Sequence, residues 1–320
     1  MRLNRGLLFW GLALITTGTL ALAIQLGYLD RDVVSRAWRL WPLLLIALGL
    51  SLIASRTSLA PIGTAVAAVV VGAMLGALFA AGADLSFACG GTEPSALAAH
   101  NGQFSGVGAH VELNFNCGTL RVVTSPGRAW RAGVGRNGGE EPTVSSGDTE
   151  LTISSRGSGP FGGRERWEVT LPTGVALDAS VSPNAASSTL TLTDAHFSRL
   201  AISPNAGDVT LDLSGSRVDD LNLSVNAGSA HITADAGTQA DGELSVNAGS
   251  VSLCTPSDGA VAITVTETNI TFSHNLDESG LTRTGDTWQT ANYPDAHHRL
   301  TLMVHGNAGS FSLNPEGGCE

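Results

Sequence analysis

The tripeptide Asn-Ala-Gly recurs along this 320-residue chain and constrains its fold more than any other feature. Copies begin at Asn205, Asn226, Asn247 and Asn307, and the first three are equally spaced. An Asn-Ala-Ala variant begins one further interval upstream, at Asn184, and Asn-Cys-Gly at Asn116 resembles a more distant copy. A constant interval of this kind predicts a stack of similar units, each burying its apolar face against its neighbours.

Apolar and polar residues alternate on both sides of each tripeptide. Around Asn226, the apolar residues are Leu223 and Val225 before the tripeptide and Ala230 and Ile232 after it. A period of two predicts two short strands, each with one buried face, joined by a tight turn at Asn-Ala-Gly. Asn and Gly suit such a turn because they tolerate positive φ. The predicted structural turn positions are Asn184, Asn205, Gly207, Asn226, Gly228, Asn247, Gly249, Asn307 and Gly309.

The repeat sets the architecture expected for residues 111–320. A unit of 21 residues has an extended contour of roughly 70 Å, enough for one flattened coil of two or three strands. Coils stacked at about 4.8 Å would bury a continuous aliphatic core. We therefore predict an all-β repetitive domain, either a β-solenoid or a layered β-sheet stack, preceded by a linker at 84–110. An irregular β-sandwich is the alternative, because the interval from Asn247 to Asn307 is far longer than the others.

Residues 1–83 differ sharply from the remainder, because they are dominated by Leu, Ala, Ile, Val and Gly. Three apolar runs, at about 7–26, 40–54 and 59–83, predict an α-helical membrane part with three spans. A cleavable signal peptide is the alternative interpretation of the first run. Residues 84–120 contain no Arg or Lys, as expected of a translocated flank. We therefore expect an integral plasma membrane protein whose β-domain faces away from the cytoplasm.

Charge and cysteine content narrow the chemistry of the polar part. After residue 83 there are 11 Arg against 26 Asp and Glu, a net charge of −15, which disfavours binding to nucleic acid. Its four cysteines, Cys89, Cys117, Cys254 and Cys319, show no CxxC spacing, which argues against a zinc site. Two disulfides can form in an oxidising compartment, with three pairings open, and four unpaired thiols are the alternative.

Two segments carry a family resemblance. The pattern GLLFWGLALITTGTLAL followed by WRLWPLLLIALGLSLI resembles the transmembrane module of LiaI/LiaF-type envelope-stress proteins of bacteria. The segments NAGDVTL, NAGSVSL and NAGSFSL, with their preceding strands, resemble the β-domains of LiaF-like and "putative adhesin" proteins called toastrack domains. The combined resemblance implies an envelope protein linked to stress sensing or regulation, with an unspecified partner.

No motif of a nucleophilic, phosphate-binding or zinc-dependent enzyme occurs in the chain, so we expect no catalytic activity and no cofactor. Asp295 and His297 could face one side of a strand as metal ligands, but a solvated loop is the favoured interpretation.

Recognition should depend on the segments that break the repeat, 135–163 and 275–298, because regular positions are needed for stacking. Arg and aromatic side chains commonly anchor binding surfaces. The candidate binding residues are Arg136, Arg164, Arg166, Trp288, Tyr293, His297 and His298. These features favour a non-enzymatic sensor or regulator that binds a membrane regulatory protein. The alternative is a structural or adhesive module that associates with itself.

Overall fold

This computed structural model describes residues 92–137, 140–156 and 163–319, together with six residues between 11 and 19. Its contacts divide the chain into two compact units, Met1–Ser86 and Phe87–Glu320. The six residues in the first unit are helical. No helix within the described residues is both long and apolar enough to cross a membrane. The predicted spans at 40–54 and 59–83, and most of 7–26, lie outside the described residues.

The second unit is an all-β repetitive domain, as the sequence predicts. Within the described residues, fifteen strands form its sheet. The strands are β1 (Ala98–Gln103), β2 (Gly108–Ser125), β3 (Ala129–Asn137), β4 (Thr143–Ser146), β5 (Glu150–Ser154), β6 (Arg164–Pro172), β7 (Ala176–Thr191), β8 (His196–Ile202), β9 (Ala206–Asp212), β10 (Arg217–Thr233), β11 (Gln239–Cys254), β12 (Val261–His274), β13 (Thr282–Thr284), β14 (Thr287–Gln289) and β15 (Leu300–Leu313). Two short 3-10 helices, Leu276–Glu278 and Tyr293–Asp295, lie between β12 and β15.

The middle of the sheet consists of parallel strands paired at the repeat interval. Leu223 on β10 is paired with Ile202 on β8 and with Leu244 on β11. Such pairing arranges apolar side chains into buried columns, because identical positions of successive coils lie side by side. One column contains Leu113, Val181, Ile202, Leu223, Leu244 and Val304. A second contains Val122, Leu190, Leu211, Ile232, Leu253 and Leu313. Burying each of these side chains contributes about 1.5–3 kcal/mol.

The prediction of a tight turn at Asn-Ala-Gly is wrong for the long strands. β10 and β11 continue through the tripeptide, and their parallel pairing continues on both sides of it. Val225 before the tripeptide and Ala230 after it are both buried, although they are five residues apart. The inward-facing residues therefore switch from odd-numbered to even-numbered positions at the tripeptide. The tripeptide is therefore a corner within the strand. No turn is needed because neighbouring coils satisfy its backbone hydrogen bonds.

The interval of 60 residues between Asn247 and Asn307 follows from the order of strands. β15 pairs in parallel with β11 on one side and with β12 on the other. The chain thus forms β12 and the β13–β14 hairpin before β15 returns to lie beside β11. The last Asn-Ala-Gly regains the register of the repeat, with Ala308 paired with Ala248.

The sheet begins inside the segment 84–110 that the sequence predicts as a linker. β1 lies within it and pairs antiparallel with β3. Its sequence, AAHNGQ, lacks alternating apolar residues, because β1 lies at one end of the strand order and none of its residues is fully buried. Gly102 lies so close to the Trp130 ring that an added Cβ would meet it at 2.6 Å.

Both ends of the parallel stack are closed by antiparallel strands. At one end, β3 pairs antiparallel with β6, and β4 pairs antiparallel with β5. At the other end, β14 pairs antiparallel with β12. We call these two regions the β3 end and the β14 end. Terminal units of this kind protect the outermost coils, because an uncovered parallel edge would expose a row of backbone groups.

A disulfide fixes the C-terminal segment to the sheet. Cys254, the last residue of β11, is bonded to Cys319, 65 residues further along the chain. Cys117 is also disulfide-bonded, and Cys89 lies outside the described residues. The described cysteines therefore include no free thiol, and the interpretation of four unpaired thiols is wrong.

Candidate functional site

The Asn side chains of the corners form one hydrogen-bonded ladder across the coils. The Asn226 amide donates to Oδ1 of Asn205 at 2.8 Å, and the Asn247 amide donates to Oδ1 of Asn226 at 2.8 Å. Three further bonds extend the ladder, from Asn184 to Asn116, from Asn205 to Asn184 and from Asn307 to Asn247. The side chains lie on the surface, exposed or half-buried.

The Gly residues of the corners allow close approach between coils. An added Cβ at Gly228 would lie 2.0 Å from the carbonyl oxygen of Gly207, and one at Gly249 would lie 2.1 Å from that of Gly228. Gly228 also has a φ of 126°. Gly249 lacks a φ in the left-handed region, so the requirement for Gly there comes from contact alone. The predicted role of positive φ therefore applies to Gly228 and not to Gly249.

A second set of turns, which the sequence reasoning missed, lies at the other ends of the coils. The buried hydroxyl of Ser216 donates to the Leu192 carbonyl at 2.5 Å, and the buried hydroxyl of Thr238 contacts the Leu213 carbonyl at 3.1 Å. Burial raises the pKa of Asp235, but bonds from Gly215, Thr238 and Gly237 outweigh that effect, and its pKa is lowered overall. These two turns could have been found in the sequence, because each contains a Gly followed by a hydroxyl residue, at Gly215-Ser216 and Gly237-Thr238.

The first face comprises the outward side chains that precede each corner, and it carries three pairs of His and acidic residues. The pairs are His110 with Asp178 at 3.2 Å, His196 with Asp219 at 2.8 Å and His305 with Glu243 at 3.4 Å. Hydrogen bonds from His196 and then from Arg217 lower the pKa of Asp219. These pairs are solvent-exposed, so each contributes little to stability.

The second face comprises the outward side chains that follow each corner, and it is rich in hydroxyl groups. Its hydroxyl residues include Ser187, Thr189, Thr210, Ser229, Ser250, Ser252, Ser310 and Ser312. His231 lies among them, with Nδ1 2.8 Å from the Ser252 hydroxyl and Nε2 3.6 Å from Sγ of Cys254. This face therefore contains an imidazole positioned between a hydroxyl group and a disulfide sulfur.

At the β3 end, the candidate residue Arg136 is buried. Its Nε lies 3.8 Å from Oε1 of Glu165, and the two side chains are 5% and 0% exposed. Neither atom has a hydrogen-bond partner among the described residues. Burial raises the pKa of Glu165, although the Ser155 hydroxyl, at 2.6 Å, and the Arg136 charge oppose this shift. Arg136 therefore neutralises a buried carboxylate.

The other two candidates at this end lie closer to the surface. Arg164 Nη2 lies 3.3 Å from Glu93, and Arg166 Nη2 lies 2.6 Å from Glu168. Both Arg side chains are more than one third exposed. Each is accessible to a partner, but binding would have to compete with an existing ion pair.

At the β14 end, Trp288 is also buried, with 3% exposure. Its Nε1 donates to Asp277 at 2.9 Å, and the Arg283 guanidinium lies 4.5 Å from the centre of its ring. The indole covers the end of the apolar core, which explains a Trp in a segment that breaks the repeat. Trp288 and Arg136 are thus buried structural side chains, which contradicts their prediction as residues of a binding surface.

The remaining candidates at the β14 end are Tyr293, which is half-buried, and His297 and His298, which are exposed. Together with the exposed Arg299, they form a region that we call the β14-end surface. The Tyr293 hydroxyl lies 2.8 Å from that of Thr301, and the Arg299 guanidinium lies 5.6 Å from its ring centre. His297 and His298 follow the 3-10 helix and are exposed. In the strand order the β3 and β14 ends are opposite ends, so the structure separates the candidates into two groups.

The metal site considered at Asp295 and His297 lacks a third ligand. Within the described ranges, no group of three or more His, Cys, Asp or Glu residues is arranged to hold a metal ion. The arrangement can present polar surfaces to a partner, and its rigid coils hold them in fixed positions.

The fold and its surfaces define a class, the repetitive all-β domains whose regular coils carry polar faces. Residues 107–235 match the family model described as the N-terminal domain of toast_rack, DUF2154. Residues 8–53 match the LiaI-LiaF-like transmembrane region. Both predicted resemblances are therefore confirmed: residues 8–53 are similar to a LiaI-LiaF-like transmembrane region, which indicates membrane anchoring, and residues 107–235 are similar to a toast-rack domain. Neither is an enzyme family.

Two solved structures are similar to the chain. One is described as a "putative cell adhesion protein" from Clostridium sporogenes, with 14% identity, a TM-score of 0.40 and coverage of 68% of this chain and 98% of that one. The other is described as a "putative adhesin" from Bacteroides fragilis, with 8% identity, a TM-score of 0.25 and coverage of 70% and 100%. A search of curated proteins finds no significant match.

Proposed function

We propose that this protein is a non-enzymatic sensor or regulator of the bacterial envelope, anchored by three membrane spans. Its β-domain, a β-solenoid, lies outside the cytoplasm and binds a partner held at the membrane. The Cys254–Cys319 disulfide supports this location, because disulfides persist mainly in oxidising compartments. The Arg-free flank at 84–120 supports the same orientation.

The β14-end surface is the observation that carries the binding proposal. The segment 275–298 breaks the repeat, yet specific contacts hold it in place. Asn275 donates to the Leu313 carbonyl at 2.8 Å and accepts from its amide at 2.8 Å. A single hydrogen bond between hydroxyl groups joins Tyr293 to Thr301. A pre-ordered aromatic side chain flanked by Arg and His loses little entropy on binding, which favours recognition there.

Self-association through the sheet is less well supported. The outermost strand at the β14 end, β13, has three residues, all exposed. A short strand carrying the charged Arg283 is a poor template for another copy of the sheet. The adhesive alternative therefore needs a surface other than this edge.

A photo-crosslinking residue at His298 in the full chain, expressed in its membrane, tests the binding proposal. We expect a discrete crosslinked product containing a membrane protein, and its loss in the double variant Tyr293→Ala, Arg299→Glu. A crosslinker at Ser250, on the second face, is the matched control and should not give that product. A product containing two copies of this chain would favour the adhesive alternative, and the absence of any product would refute binding at this surface.

Orientation has its own test. Alkaline phosphatase fused after Glu320 should be active in intact cells, because the enzyme acquires its disulfides only outside the cytoplasm. An inactive fusion, together with fluorescence of a cytoplasmic reporter at the same position, would reverse the proposed topology.

A further inference from the structure

The Cys254–Cys319 disulfide joins a protected sulfur to an accessible one. Cys254 is 5% exposed, whereas Cys319 lies in the exposed segment that follows β15. That segment is also held by Asn314, whose backbone N–H donates to the Leu253 carbonyl at 2.8 Å. Thr255 donates its amide to the Asn314 side chain at 2.8 Å. An external thiol can therefore reach the sulfur of Cys319 more readily than that of Cys254.

The protected sulfur lies beside an imidazole whose orientation is fixed. His231 and Ser252 are paired residues on β10 and β11, as are Thr233 and Cys254. This register places the imidazole Nε2 3.6 Å from Sγ of Cys254 and Nδ1 2.8 Å from the Ser252 hydroxyl. In the tautomer with hydrogen on Nε2, Ser252 donates to Nδ1 and Nε2–H is directed toward the sulfur. The same donor can stabilise a thiolate formed at Cys254.

We propose that Cys254–Cys319 is a thiol–disulfide exchange site for small thiols, with His231 as a positioning and charge-stabilising residue. The thiolate of a small thiol attacks Sγ of Cys319, forming a mixed disulfide while the Cys254 sulfur leaves as a thiolate beside His231. A second small thiolate attacks the mixed disulfide and releases Cys319. Two small thiols become one small disulfide, and the two protein sulfurs take up the two protons released.

The arrangement suits exchange because a disulfide opens faster when its leaving sulfur is stabilised as a thiolate. Without His231, the leaving charge would develop at a 5% exposed sulfur, where burial opposes a thiolate. The exchange site requires no partner protein, so it is independent of the proposed binding function.

Reduction kinetics of the full chain in detergent micelles test this proposal. The protein is treated with excess glutathione at neutral pH, quenched with an alkylating reagent and digested with trypsin. The loss of the disulfide is then followed on the peptide 300–320, where Cys319 is found first as its glutathione mixed disulfide and later as an alkylated thiol; this peptide contains no Arg or Lys and is distinct from peptides containing the other cysteines. We expect His231→Ala to slow the appearance of both products about ten-fold and Ser252→Ala to slow it less, because the leaving thiolate is less stabilised.

His196→Ala is the matched control, because this His pairs with Asp219 on the first face and should leave the rate unchanged. Local unfolding in His231→Ala would expose the disulfide and accelerate reduction, so the direction of the change separates lost stabilisation from lost folding. Equal rates in wild type and His231→Ala, or faster reduction in the variant, would overturn the proposal and leave Cys254–Cys319 as a structural cross-link.

Discussion

The corner of an interior coil and that of the first parallel coil solve the same geometric problem differently. In β10 the corner carries Asn226 on the surface and Gly228 against the neighbouring backbone. In the first coil, β5 and β6, Ser155 donates its hydroxyl to Glu165, which is paired in register with Gly118. The interior corner has small, uncharged residues, whereas the terminal corner has an inward-facing carboxylate.

The difference shows what stacking imposes on the sequence. An interior corner has a parallel coil on each side, so a backbone carbonyl occupies the space that a side chain at Gly228 would need. Beyond Glu165 lies the antiparallel strand β3, which supplies Arg136 as the opposing residue. Stacking thus selects Gly inside the array, while its end accommodates a charge pair that the capping strand completes.

The largest expected effect comes from filling the interior corner. Gly228→Val should destabilise the β-domain by about 4 kcal/mol, because positive φ and a Cβ placed 2.0 Å from the Gly207 oxygen act together. Gly249→Val should cost about 2 kcal/mol, because only the contact applies. Chemical denaturation of the unit beginning at Phe87 would measure both.

Ser229→Ala is the control for these corner variants. It removes a hydroxyl that donates to Asp208 on the surface, without introducing a clash. We expect a cost of about 0.5 kcal/mol. If Gly228→Val were no more damaging than Ser229→Ala, close backbone approach would not be what selects Gly at the interior corner.

The terminal corner should be sensitive to the loss of its cation. Arg136→Met should cost about 3 kcal/mol at pH 8, because it leaves the buried Glu165 carboxylate without a compensating charge. Burial already raises the Glu165 pKa above its usual 4.5, and removing Arg136 raises it further. Because its pKa is raised, Glu165 binds a proton more tightly in the folded protein than in the unfolded chain. Protonation of Glu165 therefore stabilises the fold below the pKa of the unfolded chain, and this stabilisation is lost as pH rises through the folded-state pKa. The cost of Arg136→Met should therefore decrease as pH falls from 8 toward 5.

Replacing both partners separates charge from packing. The double variant Arg136→Met, Glu165→Leu should be close to wild type in stability, because no buried charge remains. Its difference from wild type should also vary less with pH than that of the single variant. A cost of Arg136→Met that stays constant with pH would mean that packing of the Arg stem, rather than its charge, stabilises the β3 end.

The interior coils could be predicted from the sequence because each position has one role repeated at a constant interval. The alternation around Asn226 identified two strand segments, and the interval aligned Asn205 with Asn247 across it. The sequence did not reveal that the strand continues through the tripeptide. A switch of the buried residues from odd-numbered to even-numbered positions is typical of a turn between two strands. A corner without a turn is favourable here because neighbouring coils satisfy its backbone hydrogen bonds.

The ends could not be predicted in the same way, because their contacts join residues with no common interval. Arg136 meets Glu165 through the antiparallel register of β3 and β6, and Trp288 on β14 meets Asp277 in the 3-10 helix that precedes the β13–β14 hairpin. An Arg or a Trp outside a repeat resembles a binding residue when burial is unknown. Exposure in the structure is what separates Trp288 from Tyr293.

Apart from the controls, the smallest expected effect concerns the Asn ladder, the other half of the interior corner. Asn226 donates to Asn205 and accepts from Asn247, both at 2.8 Å, so Asn226→Ala removes two exposed hydrogen bonds. We expect a cost of about 1 kcal/mol, because each bond exchanges with water.

Asn226→Asp keeps the acceptor for Asn247 but places an oxygen against Oδ1 of Asn205, so its cost at pH 7 should exceed that of Asn226→Ala. Because this repulsion raises the folded-state pKa of the new carboxyl group, the cost should decrease as pH falls and the carboxyl regains a donor proton. Denaturation of both variants at pH 7 and pH 4 would measure this difference, with wild type correcting for other titrating groups. If Asn226→Asp matched wild type at pH 7, the ladder would contribute no net stability, and the close approach at Gly228 would alone explain the interior corner.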